Sequence, residues 1–265
     1  MIPYFSPELL FWGNNDLLFT LMAYHPRPFQ LFSCQLPRRG PFSCVLDMIV
    51  HLTGQENEEE IKNRLQQFTQ NLMTAGFKKP LFSSTVCISY VSTSVRSSVP
   101  VKYYGASVSA NDGSPGKIMI AASCLSNWDD CVADAVMTYY PNKLKKLYFN
   151  GTINLPANVI CRAFKISNRQ NLEPCRSCGN MFGLQTRESH EWAYGNCAEA
   201  ESLSNLLRNE RQVKDGVLLT SGPYQQVDRN RARTEFLNEL RNELLRVNFT
   251  RWNGNFYQAQ RRRFR

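Results

Sequence analysis

Apolar positions recur every three to four residues in NEEEIKNRLQQFTQNLMTAGF, where Ile61, Leu65, Phe68 and Leu72 share one side. That period predicts an amphipathic helix, with acids crowding its first turn and Gly76 able to close its end. A longer helical pattern runs through DRNRARTEFLNELRNELLRV, placing Phe236, Leu237, Leu240, Leu244 and Leu245 on one face. A third, CAEAESLSNLLRNE, starts near Asn196 or Cys197 and carries Ala198, Leu203, Leu206 and Leu207 inward.

Between residues 81 and 151 the pattern turns to strands. STVCISYVSTSV and VPVKYYGASVSA have strand composition, NDGSPG is a turn signal, and KIMIAASCL reads as a third apolar strand. SNWDDCVADAVMTYYP predicts a helix with Ser126 as its cap, Asp129 and Asp130 in its first turn and Pro141 as its stop. KKLYFNG and NVICRAFKI supply two further short strands, and DGVLLTSG another. Ahead of all these, PFQLFSCQLPRRGPFSC is broken by prolines and the Arg38-Arg39-Gly40 turn, which predicts loop and edge structure.

Strands, helix, strands and a closing helix predict an α/β fold: a mixed β-sheet flanked by helices, with an N-terminal mixed extension. The chain divides into a mixed helical and irregular region (1–82), an α/β core (83–250) holding a cysteine-rich segment (171–207), and a basic C-terminal tail (251–265).

Composition narrows the function classes. At 265 residues with 43% hydrophobic side chains, the chain can bury a substantial core. It has no apolar run long enough for a spanning helix. Its start lacks a basic leading segment, and Pro3, Pro7, Asn14 and Asn15 interrupt the apolar patches, so a secretory signal is a poor reading. Nine cysteines then imply reduced thiols in a cytoplasmic or nuclear protein, some of them bound to metal.

The net charge of +9 is uneven: from Asp228 to Arg265 ten arginines face four acids, leaving +6 in this stretch. Such a tail favours a polyanionic partner, and Arg261, Arg262, Arg263 and Arg265 are the candidate nucleic-acid contacts. A solvated helix face followed by a loose end accounts for the same pattern.

The candidate chemistry lies between Asn171 and Leu207. Cys175 and Cys178 form a Cys-x-x-Cys pair whose thiolates can reach one ion if the backbone turns tightly or enters a helix. Cys197 begins a predicted helix, where free N–H groups and the dipole stabilise a thiolate, and Glu199 follows in the first turn. Three thiolates would leave the fourth tetrahedral position of a zinc ion open to water, with a carboxylate at hand to move a proton. Adding His190 instead closes the tetrahedron as a structural Cys3His site, which stabilises and does no chemistry. Three buried thiols without metal are the third reading. Cys124, Cys131, Cys34, Cys44, Cys87 and Cys161 sit in apolar contexts and read as core thiols.

Glu173-Pro174-Cys175-Arg176-Ser177-Cys178 resembles the Pro-Cys-x-x-Cys motif of the zinc-dependent cytidine deaminase superfamily, which includes nucleoside deaminases, polynucleotide editors and toxin deaminases. Cys197-Ala198-Glu199 is similar to that superfamily's His/Cys-Ala-Glu motif at a helix start. The resemblance implies Zn2+ held by Cys175, Cys178 and Cys197, with Glu199 as the acid/base in replacing a nucleobase's exocyclic amine by oxygen. It implies a nucleoside or nucleic acid as substrate, with Trp192, Tyr194, Tyr103 and Tyr104 as candidate stacking groups. The two motifs stand in reversed order, with eighteen residues between Cys178 and Cys197. The contrasting expectation is a non-enzymatic interaction or nucleic-acid-binding protein with a structural zinc site.

Overall fold

A computed structural model describes residues 15–74, 83–92, 100–108, 113–220 and 222–257. In chain order these hold helices α1 (Asn15–Tyr24) and α2 (Pro26–Leu31), strand β1 (Leu36–Pro37), helices α3 (Pro41–Thr53) and α4 (Glu58–Thr74), and strands β2 (Thr85–Val91) and β3 (Tyr103–Ala106). Helices α5 (Ser114–Ser126) and α6 (Asp130–Tyr139) follow, then strands β4 (Ile153–Asn154), β5 (Val159–Lys165) and β6 (Asn171–Leu172). The remainder contains α7 (Arg176–Phe182), α8 (Ala198–Asn209), α9 (Arg211–Asp215), β7 (Leu218–Leu219), α10 (Gln226–Arg246) and β8 (Phe256–Tyr257).

The main sheet has the order β3-β2-β5-β6, and every neighbouring pair is antiparallel. Successive side chains of a strand point to opposite faces, and both faces of this sheet are covered. On one, Val86, Ile88, Tyr104, Ala106 and Phe164 pack with Phe42, Leu46 and Ile49 of α3 and with Ile61 and Leu65 of α4. On the other, Cys87 and Ala163 meet Ala198 at the start of α8. The chain is therefore an α/β protein in which α8 lies between the sheet and a larger helical core. Ile118, Val132, Val136, Phe182, Leu203, Leu206, Phe236 and Leu240 are among the residues of that second core.

Small side chains let α8 approach the sheet closely. A Cβ added at Gly105 in β3 would lie 2.1 Å from the backbone nitrogen of Ser202 and 2.7 Å from the carbonyl oxygen of Ala198. Only glycine admits this contact. Polar groups then fix the register: the Ser89 and Ser202 hydroxyls share a hydrogen bond at 2.8 Å, and the Asn205 amide donates to the Tyr104 carbonyl at 2.8 Å.

The strongly periodic helices, α4, α8 and α10, stand where the pattern predicts them, although Leu245 of α10 points to solvent rather than inward. Several expectations are corrected. KIMIAASCL is helical, within α5, not a strand. Ile118, Met119, Ile120, Ala121 and Ala122 are all buried there, so the helix is apolar all round and shows no amphipathic period. Ser126 ends α5, its hydroxyl returned to the Ala122 carbonyl, while Asp129 caps α6 by accepting from the Cys131 amide. PFQLFSCQLPRRGPFSC, read as loop, contributes most of α2, all of β1 and the start of α3. Pro28 and Pro41 stand in the first turns of α2 and α3, where a missing N–H breaks no hydrogen bond, and Pro37 lies in β1.

KKLYFNG forms no strand, and the short β4 just beyond it pairs antiparallel with β7. The first part of the basic C-terminal stretch joins the fold, because β8 pairs in parallel with β1. Among the described residues, no helix is long and apolar enough to cross a membrane.

Candidate metal centre

Two helix starts build the site. Cys175 is the residue before α7 and Cys178 lies in its first turn; Cys197 is the residue before α8. Cys175 Sγ lies 3.7 Å from Cys178 Sγ and 3.3 Å from Cys197 Sγ, and all three sulfurs are within 4.8 Å of one another. Zinc–sulfur bonds of about 2.3 Å in a tetrahedron require sulfurs about 3.8 Å apart, so the donor set fits such an ion.

The connection from α7 to α8 is held at several points. Tyr194 stacks on Tyr139 of α6 with ring centroids 4.1 Å apart and takes a hydrogen bond from Asn180. The Ser177 hydroxyl donates to the Trp192 carbonyl at 2.6 Å, and the Val108 amide donates to the Asn196 carbonyl at 2.9 Å. Gly195 turns the chain with a positive φ of 87° against Ile120, Val136 and Trp128, and so delivers Cys197 to the head of α8.

The crowded sulfurs perturb one another. Hydrogen bonding with Cys178 and Cys197 holds Cys175 far below the usual thiol range. The reciprocal bonds, followed by burial, push Cys178 well up, and Cys197 rises chiefly through Cys175. A divalent cation held among the three sulfurs would favour the thiolate form of each.

Glu199 projects from the first turn of α8 and is only 4% exposed. Burial pushes its carboxyl up to about 7, its own backbone N–H and the Cys178 thiol acting in the opposite sense. The acid beside the sulfurs is therefore poised between protonated and ionised forms near neutrality. Two positions on, Glu201 anchors the same helix. Its carboxylate accepts from the Ala106 amide at 2.9 Å and the Ser43 hydroxyl at 2.8 Å, and pairs with Arg39 at 3.0 Å. Arg39 in turn pairs with Asp47 at 2.5 Å. Sequence reasoning passed over Glu201, Arg39 and Ser43, because their meeting joins positions 158 apart.

His190 does not join the three sulfurs. Its ring is exposed and packs edge-on against Trp192, while its carbonyl accepts from the Arg176 amide at 3.0 Å. Among the candidate stacking groups, Tyr194 and Tyr104 are buried, with the Tyr104 hydroxyl donating to the Gln55 carbonyl. Tyr103 is half-buried and donates to Glu210. Trp192 is 51% exposed and packs edge-on with His190. Arg261, Arg262, Arg263 and Arg265 lie outside the described residues. Of the cysteines read as core thiols, Cys87 and Cys124 are buried, Cys34, Cys131 and Cys161 are half-buried, and Cys44 is exposed.

No family model, curated protein or solved structure matches this chain.

Proposed function

We propose that this protein is a zinc-dependent, deaminase-like hydrolase that replaces the exocyclic amine of a cytosine- or adenine-type base, in a nucleoside or nucleic acid, by oxygen. The observation that carries this reading is the convergence of Cys175, Cys178 and Cys197 beside the buried carboxyl of Glu199. The placement of two helix starts at one point, and of α8 between a sheet and a helical layer, agrees with a deaminase-like layered core whose motifs run in the opposite chain order.

When bound, zinc would supply Lewis acidity and an open fourth position. Glu199 would take a proton from the attacking water and return it to the departing nitrogen; one C–O bond forms, one C–N bond breaks and ammonia leaves. Proton transfer of this kind asks of Glu199 that it both take up and release a proton near the working pH. Cys197 and Glu199 share one helical turn, so the packing that fixes α8 on Gly105 also fixes the acid relative to the ligands. Trp192 is the side chain available for stacking on a base. The closed Cys3His alternative needs His190, which faces Trp192 instead.

Zinc-loaded protein should release ammonia from cytidine, adenosine or single-stranded oligonucleotides containing them. Glu199→Gln should keep its zinc and lose turnover by about 10²–10⁴-fold, the usual worth of general acid–base catalysis. Equal turnover by the variant would remove Glu199 from the chemistry.

A further inference from the structure

A second pair of thiols lies under the head of α8. Cys87 of β2 and Cys161 of β5 bring their sulfurs to 3.3 Å, as close as Cys175 and Cys197 approach in the metal centre. Antiparallel register sets Cys87 opposite Ala163 and Ser89 opposite Cys161. The two cysteines are therefore diagonal neighbours on one face of the sheet, the face that meets Ala198. The Ser89 hydroxyl donates to the Cys161 sulfur at 3.4 Å and so helps to fix its position.

Burial divides the pair. Cys87 is fully buried, whereas Cys161 is half-buried and is the member that keeps contact with solvent. A small oxidant thus has its route to Cys161, and Cys87 waits behind as the resolving thiol.

We propose that Cys87 and Cys161 are a reversible oxidation site that closes to a disulfide when the protein meets a peroxide. The Cys161 sulfur attacks hydrogen peroxide, the O–O bond breaks, and one oxygen stays on sulfur as a sulfenic acid. The other leaves as water with the thiol proton. The Cys87 sulfur then attacks the sulfenic sulfur; an S–S bond forms, the S–O bond breaks, and a second water carries off the Cys87 proton. The two sulfurs together give up two electrons, which the peroxide takes. A partner at 3.3 Å lets this condensation outrun further oxidation.

The register also fixes the character of the bond. Diagonal Cα atoms across antiparallel strands lie about 7–8 Å apart, beyond the about 4.4–6.8 Å of a relaxed disulfide. Closing the bridge must draw β2 and β5 together locally, and a strained disulfide is readily reduced. The pair therefore suits reversible oxidation rather than a permanent staple. It does not depend on the zinc reading.

The test is peptide mapping by mass spectrometry of the full-length purified protein, without reductant, before and after hydrogen peroxide. Peroxide should produce a linked pair of peptides joining Cys87 to Cys161. When the protein is unfolded in iodoacetamide, the free-thiol fraction of Cys161 should be at least about tenfold lower after peroxide and should return with reduced glutathione. In Cys161→Ser the link should be absent and Cys87 recovered as a thiol; the wild-type mapping decides even if that variant fails to fold. Three results would overturn the proposal: a free-thiol fraction of Cys161 unchanged by peroxide, Cys161 recovered as sulfinic or sulfonic acid without the link, or a link that glutathione leaves intact. If zinc binding and deamination fail while the link forms as stated, the proposed function falls and this site stands.

Discussion

Cys175 and Cys197, twenty-two positions apart, stand before two different helices and bring their sulfurs to 3.3 Å. Cys178 completes the group from the first turn of α7. This is a tertiary arrangement, dependent on how α8 seats on the sheet and on the turn at Gly195.

The ligand set separates cysteine from histidine. Cys197→Ser and Cys178→Ser should each lower zinc affinity strongly and reduce thermal stability, since metal binding is coupled to the folded state. His190→Ala should retain full zinc content and change stability by no more than about 0.5 kcal/mol, as for an exposed side chain. Metal analysis of the three variants, purified side by side, decides this; zinc loss on His190→Ala alone would restore the closed site.

Gly105 controls the seat of α8. A methyl group there meets backbone, not a flexible side chain, so Gly105→Ala must push the helix away from β3. Overpacking of this kind costs about 1–3 kcal/mol. Because Cys197 and Glu199 ride on that helix, the variant should also bind zinc more weakly. Urea unfolding together with a zinc competition assay measures both effects, and wild-type values for each would contradict the close approach.

Arg39 holds a buried acid in place. Removing it with Arg39→Ala leaves Glu201, which is 3% exposed, without its cation. Breaking a buried pair from one side costs about 3–5 kcal/mol, because the remaining charge stays desolvated. Arg39→Ala/Glu201→Gln should recover part of the loss, so the two effects should be clearly non-additive in denaturant midpoints.

Acid stability gives a fourth test, at Glu58. Burial works against its charge, but hydrogen bonds from Lys102 and Lys62, with the charges of Lys62 and Arg162, outweigh it and leave the carboxyl at about 2. A carboxyl below its ordinary value of 4.5 adds stability above pH 4.5 and loses it as pH falls toward 2. Glu58→Gln should therefore destabilise the protein at neutral pH, by less than about 3 kcal/mol because the group is partly solvated. The gap to wild type should close between pH 4.5 and 2. A gap constant with pH would contradict the assignment.

Local order was legible in the chain wherever one face of an element meets solvent. Ile61, Leu65, Phe236 and Leu240 repeat at helical spacing because their opposite faces are wet. In α5 both faces are buried, the alternation disappears, and an apolar run reads equally as strand. Pro28 and Pro41 read as punctuation, although a proline in the first turn of a helix and one that breaks a loop look alike in sequence. The sulfur cluster was legible because its spacing and helix-start context are local signals. Arg39, Ser43, Gly105 and Glu201, which hold the site together, were not. Their roles exist only once distant segments meet, and no local period encodes such a meeting.

The most direct measurement is zinc K-edge X-ray absorption on the full-length purified protein, combined with metal quantification. The account predicts one zinc per chain, with three sulfur neighbours at about 2.3 Å and one light oxygen or nitrogen neighbour at about 2.0–2.2 Å that exchanges with solvent. A metal-free protein, or a zinc ion that keeps its full sulfur shell after Cys197→Ser, would contradict it.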